Sequence, residues 1–389
     1  MNKYYLYVLG CAMNYSDAER IASIFDLAGY VPTKNEADAN IVVVLACSVR
    51  QKAIDRILGK VKGWDKRRRK EENFKTILSG CVLPEDRARL SKSFDLIFEI
   101  SEIQLLAEFI NPKTQITNSN LIRNSKLEIP NSGEYLNILP KYNSPFRAFV
   151  PIMTGCDNFC SYCAVPYTRG REKSRPEAEI LQEVTELIGK GYKEITLLGQ
   201  NVNSYEPSLA SEKAGATLQR TDLCKDDKGP SFVSLLRKID KIPGDYRIYF
   251  YSNHPKDFSD ELIWGLPKLK HFPPYIHLPL QSGNDEILRK MNRNYTSKHY
   301  LELIRRLKSS VDSLRLTTDI IVGFPTETKK QFENTYNLCK QINFAGAYIS
   351  QFSPRAGTPA AKKPDNVTSV EKKRRWLKLN KLINNQNNK

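Results

Sequence analysis

The sequence predicts an α/β protein in two parts: a doubly wound parallel sheet over residues 1–112, then a partial (β/α)6 barrel over residues 145–378. Three observations predict it. Continuous apolar runs alternate with helical segments, the pattern of parallel strands covered on both faces. A polar, Asn- and Lys-rich stretch, about Asn111 to Ser144, separates two such series and reads as a linker over 113–144. Cys11, Cys47, Cys81 and Cys156 each fall just past a strand-like run, where open α/β sheets bind ligands.

In the first third one pattern recurs three times. A strand from Tyr4 to Leu9 leads to Gly10-Cys11 and a helix, with a capping box expected at Ser16-Asp17-Ala18-Glu19 and a stop at Gly29. Ile41-Val42-Val43-Val44-Leu45 leads to Cys47 and a second helical segment through about Leu58. Ile77-Leu78-Ser79 leads to Gly80-Cys81. Residues far apart in sequence thereby converge beyond one sheet; three unrelated buried thiols are the competing reading.

Beyond the linker, strands are expected at Phe149–Met153, Glu194–Leu198, Arg247–Tyr251, Tyr275–Leu280, Arg315–Val322 and Gly346–Phe352. Helices are expected between them, at Arg175–Gly189, Phe232–Ile239, Ser297–Lys308 and Lys330–Ile342. Six βα units are too few for an eight-stranded barrel and suit an open one, with its site at the strand C-terminal ends. Candidate residues sit there: Cys156 after the first strand, Gly199-Gln200-Asn201 after the second, His254-Pro255 after the third. Gln281-Ser282-Gly283 follows the fourth and Gly323-Phe324-Pro325 the fifth. Residues 206–230 read as a surface loop, and 379–389 as a polar tail.

Composition bounds the function. The 389 residues suffice for two cores, and no stretch is long and apolar enough to span a bilayer. The start MNKYYLYVLG has too short an apolar run for a signal peptide, so a soluble cytoplasmic protein with no membrane partner is expected. Eight cysteines are few for a disulfide framework, and their clustering in a reducing compartment favours metal. Lys and Arg total 60 against 43 Asp and Glu, a net charge of +17. That excess favours a polyanion, with nucleic acid ahead of solubility alone. Cys156, Cys160 and Cys163 form C-x3-C-x2-C; Cys11, Cys47 and Cys81 form a dispersed set. Each trio is one thiolate short of closing an iron–sulfur cube, leaving one iron open. Two open irons point to a reaction. Cys339 lies in an apolar-periodic helix and reads as a core thiol; Cys224, in the polar insertion, reads as an incidental exposed one.

The C-x3-C-x2-C loop after the first barrel strand resembles the radical S-adenosylmethionine (radical SAM) enzymes. GCDNFCSYCAVPYTRGREKSRP, LLGQNVNSY, HLPLQSGND with MNRNYT, TTDIIVGFPTET and SPRAGTPA, together with the three early cysteines, resemble the methylthiotransferases over nearly the whole chain. GCAMNYSDAERI and ACSVRQKA are similar to the MiaB type, which methylthiolates N6-isopentenyladenosine at position 37 of tRNA. Two alternatives keep the chemistry and change the target, to threonylcarbamoyl-adenosine in tRNA or to a ribosomal protein. A third is a non-catalytic iron–sulfur protein that binds RNA or transfers electrons.

The resemblance implies two [4Fe–4S] clusters and SAM as cofactors. Cys156, Cys160 and Cys163 would hold the cluster that cleaves SAM to a radical directed at adenine C2. Cys11, Cys47 and Cys81 would hold an auxiliary cluster that delivers the methylated sulfur, the two facing each other across the domain junction. Gly199, Gln200 and Asn201 are candidates for the SAM amino group, with a plain turn as the competing reading. His277 and Gln281 are candidates for SAM or substrate, and Asp319, Gly323 and Pro325 for the ribose and adenine. Arg169 and Arg171 are candidates for SAM or RNA phosphate, and Asn14 for support of Cys11 or contact with substrate. Expected partners are tRNA and a reductant such as flavodoxin or ferredoxin, acting on a monomer. The family's usual C-terminal TRAM domain is not expected, so RNA contact would rest on Lys66-Arg67-Arg68-Arg69-Lys70 and Lys372-Lys373-Arg374-Arg375, each also readable as a solvated helix face. Val-Leu-Pro after Cys81 departs from the small residue and glutamine more usual there.

Overall fold

The computed structural model describes residues 2–48, 51–110, 135–207 and 230–385. Cys224, most of the expected 206–230 loop and residues 113–134 of the expected linker lie outside that set. The chain forms two compact units. One is drawn from residues up to 144, joined by 164–170 and 355–357; the other comprises the rest.

The first unit is built on five parallel strands: β1 (Lys3–Leu9), β2 (Val31–Pro32), β3 (Ile41–Cys47), β4 (Lys75–Cys81) and β5 (Leu96–Ile97), in the order β2-β1-β3-β4-β5. Its helices are α1 (Ala12–Leu27), α2 (Gln51–Arg68), α3 (Pro84–Leu90) and α4 (Gln104–Ile110), with α5 (Val165–Thr168) in the first added segment. Every residue of β3 is buried, because alternate side chains feed two cores. Val43 and Leu45 pack with Ile21, Phe25 and Leu106 on one face. Val42 and Val44 pack with Ile54, Ile57 and Trp64 on the other. Each such buried aliphatic side chain contributes roughly 1.5–3 kcal/mol. Tyr135, Leu136 and Ile138, within the stretch expected to be a linker, join the first of these cores.

Two local expectations are corrected. Helix α1 starts at Ala12 with Cys11 as its N-cap, and the reciprocal capping pair is Cys11 with Asn14. Ser16, Asp17 and Glu19 lie inside the helix and are buried, so the box expected at Ser16 does not form. Helix α2 runs ten residues past Leu58, since its apolar stripe continues through Val61 to Trp64. Gly29 does end α1: it adopts φ +78, and the Tyr30 N–H closes back on the Phe25 carbonyl at 3.0 Å.

The second unit contains β6 (Arg147–Pro151), the antiparallel pair β7 (Met153–Thr154) and β8 (Lys173–Ser174), β9 (Glu194–Leu198), β10 (Arg247–Phe250), β11 (Tyr275–His277), β12 (Arg315–Val322) and β13 (Gly346–Gln351). Six of these form two parallel groups of three, β10-β9-β6 and β11-β12-β13. Asn253 Nδ2, just past β10, donates to the His277 carbonyl at the end of β11 (2.9 Å). The helices are α6 (Glu177–Gly189), α7 (Phe232–Asp240), α8 (Asp260–Gly265), α9 (Asp285–Lys290), α10 (Ser297–Ser310), α11 (Lys329–Ile342) and α12 (Ser369–Ile383). The α/β class with parallel sheets and an open barrel is borne out. Cys339 is buried in α11, where burial alone pushes its thiol far above the usual range.

Candidate active site

In the first unit β3 and β4 run in register, with Cys47 opposite Cys81. Cys11 stands at the N-terminus of α1, where unpaired backbone N–H groups and the helix dipole favour negative charge. Cys81 links the other two: Cys47 is its hydrogen-bond partner, and its charge bears on Cys11. A hydrogen bond from Cys47 and the cation of Arg169 hold the Cys81 thiol down at about 6 against burial, while burial and the neighbouring Cys81 push Cys11 up. Asn14, fully buried, accepts from the Cys11 N–H (3.3 Å) and donates to the Ala46 carbonyl (3.4 Å), joining α1 to the end of β3. Gly80 has φ +102, and a Cβ there would sit 2.5 Å from the Ala46 carbonyl oxygen. Only glycine lets β4 approach β3 at that point. Ser48 ties the two strand exits together, its N–H donating to the Cys81 carbonyl and its hydroxyl to Asp86 (2.6 Å). Val82 and Leu83 are core residues and Pro84 opens α3, which explains the Val-Leu-Pro after Cys81 by packing.

Arg169 belongs to this cluster of thiols. Its Nε donates to Cys81 Sγ (2.9 Å), Nη1 to the Tyr135 hydroxyl (3.0 Å) and Nη2 to Asp17 (2.5 Å). The Arg169 and Asp17 side chains are 1% and 0% exposed. Arg169 and Asn14 are therefore tied to the cysteines inside the first unit.

In the second unit Cys156, Cys160 and Cys163 lie on a loop closed at its base by the β7–β8 pair. The loop is held by segment 291–293: Ser161 N–H donates to the Met291 carbonyl (2.9 Å) and Asn292 Nδ2 to the carbonyls of Asn158 and Phe159. Arg293 Nη1 reaches Cys160 Sγ at 3.6 Å, and Asn158 Nδ2 reaches Cys156 Sγ at 3.5 Å. Burial pushes the Cys156 thiol up. Arg171 is exposed, paired with Asp157 (2.9 Å) and lying over the Phe159 ring. Segment 291–293 lies in the MNRNYT motif that carries the family resemblance, but its residues were given no individual role, because their contact with the cysteine loop spans more than 130 positions.

The strand exits beside this loop carry buried polar atoms with no hydrogen-bond partner among the described residues: Gln200 Oε1, Asn201 Oδ1, Asn203 Nδ2, Asn253 Oδ1, His254 Nε2 and Gln281 Oε1. Leaving such atoms dry costs about 1–3 kcal/mol each, so a polar ligand or water belongs there. His254 is neutral: burial, then the cations of Arg293 and Lys256, depress it to about 2. Its Nδ1 accepts from the Lys256 N–H, which leaves Nε2 as the donor. Gly199 is pinned because a Cβ would meet Met153 at 2.5 Å. Gln281 takes φ +63 and its N–H donates to the Asp319 carbonyl (2.8 Å). His277 contacts Thr317 (3.0 Å) and Asp319 (3.2 Å) with its two ring nitrogens, so both polar ends are already engaged. Gly323, at φ +69, donates to Glu327 (2.6 Å), and that carboxylate also pairs with Arg375 (2.6 Å).

Both cysteine trios suit thiolate-ligated cubes, with cationic or amide donors beside the sulfurs. Among the described residues no three His, Cys, Asp or Glu side chains are grouped to grip a single metal ion. A groove of about 550 Å3 in the first unit, lined by Asn35, Glu36, Lys60 and Trp64, holds no cysteine, and Glu36 is engaged by Lys60 and Trp64.

Two family descriptions match the chain: the radical SAM superfamily over residues 150–339 and the uncharacterized protein family UPF0004 over residues 3–99. The chain is 40% identical to the tRNA-2-methylthio-N(6)-dimethylallyladenosine synthase of Anoxybacillus flavithermus, covering 98% of this chain and 69% of that one. It is also 40% identical to the synthase of the same name from Thermoanaerobacter sp. strain X514, covering 98% and 78%. The chain belongs to the radical SAM methylthiotransferases. In fold it also matches the solved radical SAM methyltransferase TsrM of Kitasatospora setae, with a TM-score of 0.61 at 14% identity, covering 93% of this chain and 75% of that one. As a radical SAM methylthiotransferase, the enzyme uses SAM and [4Fe–4S] clusters.

The basic runs are partly structural in this enzyme. Arg67 donates to the Glu36 and Ala39 carbonyls, and Arg68 to Asp65, Thr76 and the Ser93 carbonyl. Lys372 and Arg375 are buried against Asp365, Glu371 and Glu327, and Arg374 is paired with Glu371. Lys66, Arg69, Lys70 and Lys373 remain at least partly exposed. Among the described residues no helix is long and apolar enough to cross a membrane.

Proposed function

We propose that this methylthiotransferase adds a 2-methylthio group to N6-isopentenyladenosine at position 37 of tRNA. What supports the reading is that Cys47 and Cys81 end neighbouring strands in register and Cys11 feels the charge of Cys81, a second set of thiols additional to the Cys156-Cys160-Cys163 loop. The names of the 40%-identical relatives point to the same substrate.

Cys156, Cys160 and Cys163 hold one [4Fe–4S] cluster, and Cys11, Cys47 and Cys81 the other. Bound there, SAM and the clusters supply one-electron chemistry able to activate an aromatic C–H bond and deliver sulfur to it. The chain's own residues aim and enclose that chemistry. Segment 291–293 fixes the cysteine loop, and Arg169 with Asn14 fixes the second trio. Gln200, Asn201, Asn253, His254 and Gln281 offer unsatisfied donors and acceptors to SAM or the base. Lys66, Arg69 and Lys70 offer phosphate contacts. The enzyme works in the cytoplasm as a monomer, drawing electrons from a flavodoxin- or ferredoxin-type protein.

Mass spectrometry of tRNA nucleosides from a strain lacking the gene tests the substrate. 2-Methylthio-N6-isopentenyladenosine should disappear and its unmethylthiolated precursor accumulate. Persistence, with no second enzyme to make it, overturns the assignment; loss of a methylthiolated threonylcarbamoyl-adenosine or ribosomal-protein residue instead redirects it. Iron should approach about eight per reconstituted chain, and Cys11→Ala should roughly halve it while sparing SAM cleavage.

A further inference from the structure

Each cysteine trio carries a buried arginine aimed at one of its sulfurs, but the two arginines differ in how their charge is balanced. Arg169, on Cys81, is paired with the buried carboxylate of Asp17. Arg355, which donates to Gln51 (2.8 Å), adds a second cation that acts on Cys47, with the charges of Asp86 and Asp55 acting on it in turn. Arg293, on Cys160, is 7% exposed and has no carboxylate partner among the described residues. Its other bonds run to the Tyr295 hydroxyl (3.1 Å) and the Pro279 carbonyl (3.1 Å). The groups bearing on its charge are Tyr295, Tyr162 and Cys160.

We propose that Arg293 is a positioning residue whose unbalanced cation raises the reduction potential of the cluster on Cys156, Cys160 and Cys163 relative to that on Cys11, Cys47 and Cys81. The inference rests on the cluster assignment made above. Adding an electron makes a thiolate-ligated cube more negative. A cation and an N–H donor at a ligating sulfur stabilise that reduced state, more so where burial lowers the dielectric. At the other trio the Arg169 charge is partly offset at close range by Asp17, so the N–H···S bond remains and a smaller net field acts on the sulfurs. The electron needed to split SAM is thereby favoured at the cluster that uses it.

The test is EPR-monitored redox titration of the reconstituted holoenzyme, using perturbation by added SAM to assign the signal of the radical cluster. Arg293→Gln should lower that cluster's midpoint by about 59 mV or more, a tenfold fall in the reduced-to-oxidised ratio at fixed potential. Arg293→Lys should retain most of the wild-type value. In the opposite direction, Asp17→Asn should raise the midpoint of the other cluster by unmasking Arg169. An unchanged midpoint in Arg293→Gln at full iron content, or equal shifts in the Gln and Lys variants, overturns the proposal. Where Arg293→Gln does not assemble its cluster, the Asp17→Asn arm decides: no rise there overturns it. Iron content and SAM cleavage report on the cluster assignment separately, so its failure is distinguishable from failure of the electrostatic argument.

Discussion

Removing Arg375 should weaken the second unit by about 3–5 kcal/mol, the cost of leaving one half of a buried ion pair without its partner. Arg375 Nη1 lies 2.6 Å from Glu327 Oε2, and the two side chains are 3% and 1% exposed. The same carboxylate accepts the Gly323 N–H at 2.6 Å, so α12 locks the turn that ends β12. In Arg375→Met the carboxylate keeps that single backbone donor in a buried site. Burial already raises Glu327's pKa, and loss of the cation raises it further. Protonation then supplies relief: stability gained that way is complete below the unfolded value of about 4.3 and is lost as pH rises through the raised folded value. The deficit should therefore be larger at pH 8 than at pH 5. Urea unfolding followed by Trp376, whose Nε1 donates to the Ile349 carbonyl, reads this unit. At roughly 2–4 °C per kcal/mol, its Tm should fall by about 6–20 °C. The double variant Arg375→Met/Glu327→Gln should recover part of the loss, because no charge is then stranded. A loss below about 1 kcal/mol, or a double variant no better than the single, refutes the reasoning.

Gly80→Ala should displace Cys81 and roughly halve the bound iron in the reconstituted enzyme, because its Cβ would press on the Ala46 carbonyl from a left-handed φ; normal iron content would show that β4 can yield. His254, depressed to about 2 in the folded chain and near 6.5 unfolded, should make stability fall as pH drops from 7.5 to 5.5, by about 1.4 kcal/mol, since only the unfolded chain then takes up a proton. His254→Gln should flatten that part of the urea-derived profile, and an unchanged slope would remove His254 as its source. Neutralising Lys66, Arg69 and Lys70 should reduce the salt slope of tRNA binding by up to about 0.7–0.9 for each phosphate no longer neutralised. An equal effect from Arg67→Gln with unchanged stability would contradict the structural role assigned to Arg67.

Much of the molecule was legible in local pattern. The apolar runs at Ile41–Leu45 and Arg315–Val322 announced strands because a buried parallel strand must be apolar along its length. Cys11, Cys47 and Cys81 could be grouped because each follows such a run, and parallel strands end on the same side of a sheet. What escaped was pairing over distance. The basic runs at 66–70 and 372–375 looked alike and free, yet Arg375 meets a glutamate 48 positions away and Arg68 an aspartate 27 away. The capping box was misplaced because Ser16 and Glu19 fit the usual pattern better than Cys11 and Asn14 do, and only the observed helix start decides between them.

By itself, then, the sequence determined the layer architecture and the placing of the six cysteines after strands, since periodicity and spacing are properties of neighbours along the chain, while its motifs carried the family resemblance. The tertiary structure alone decided what stands beside each sulfur. Arg169 lies 152 positions from Asp17, and Arg293 lies 133 from Cys160. A buried charge is defined by what balances it in space, and no one-dimensional pattern records that.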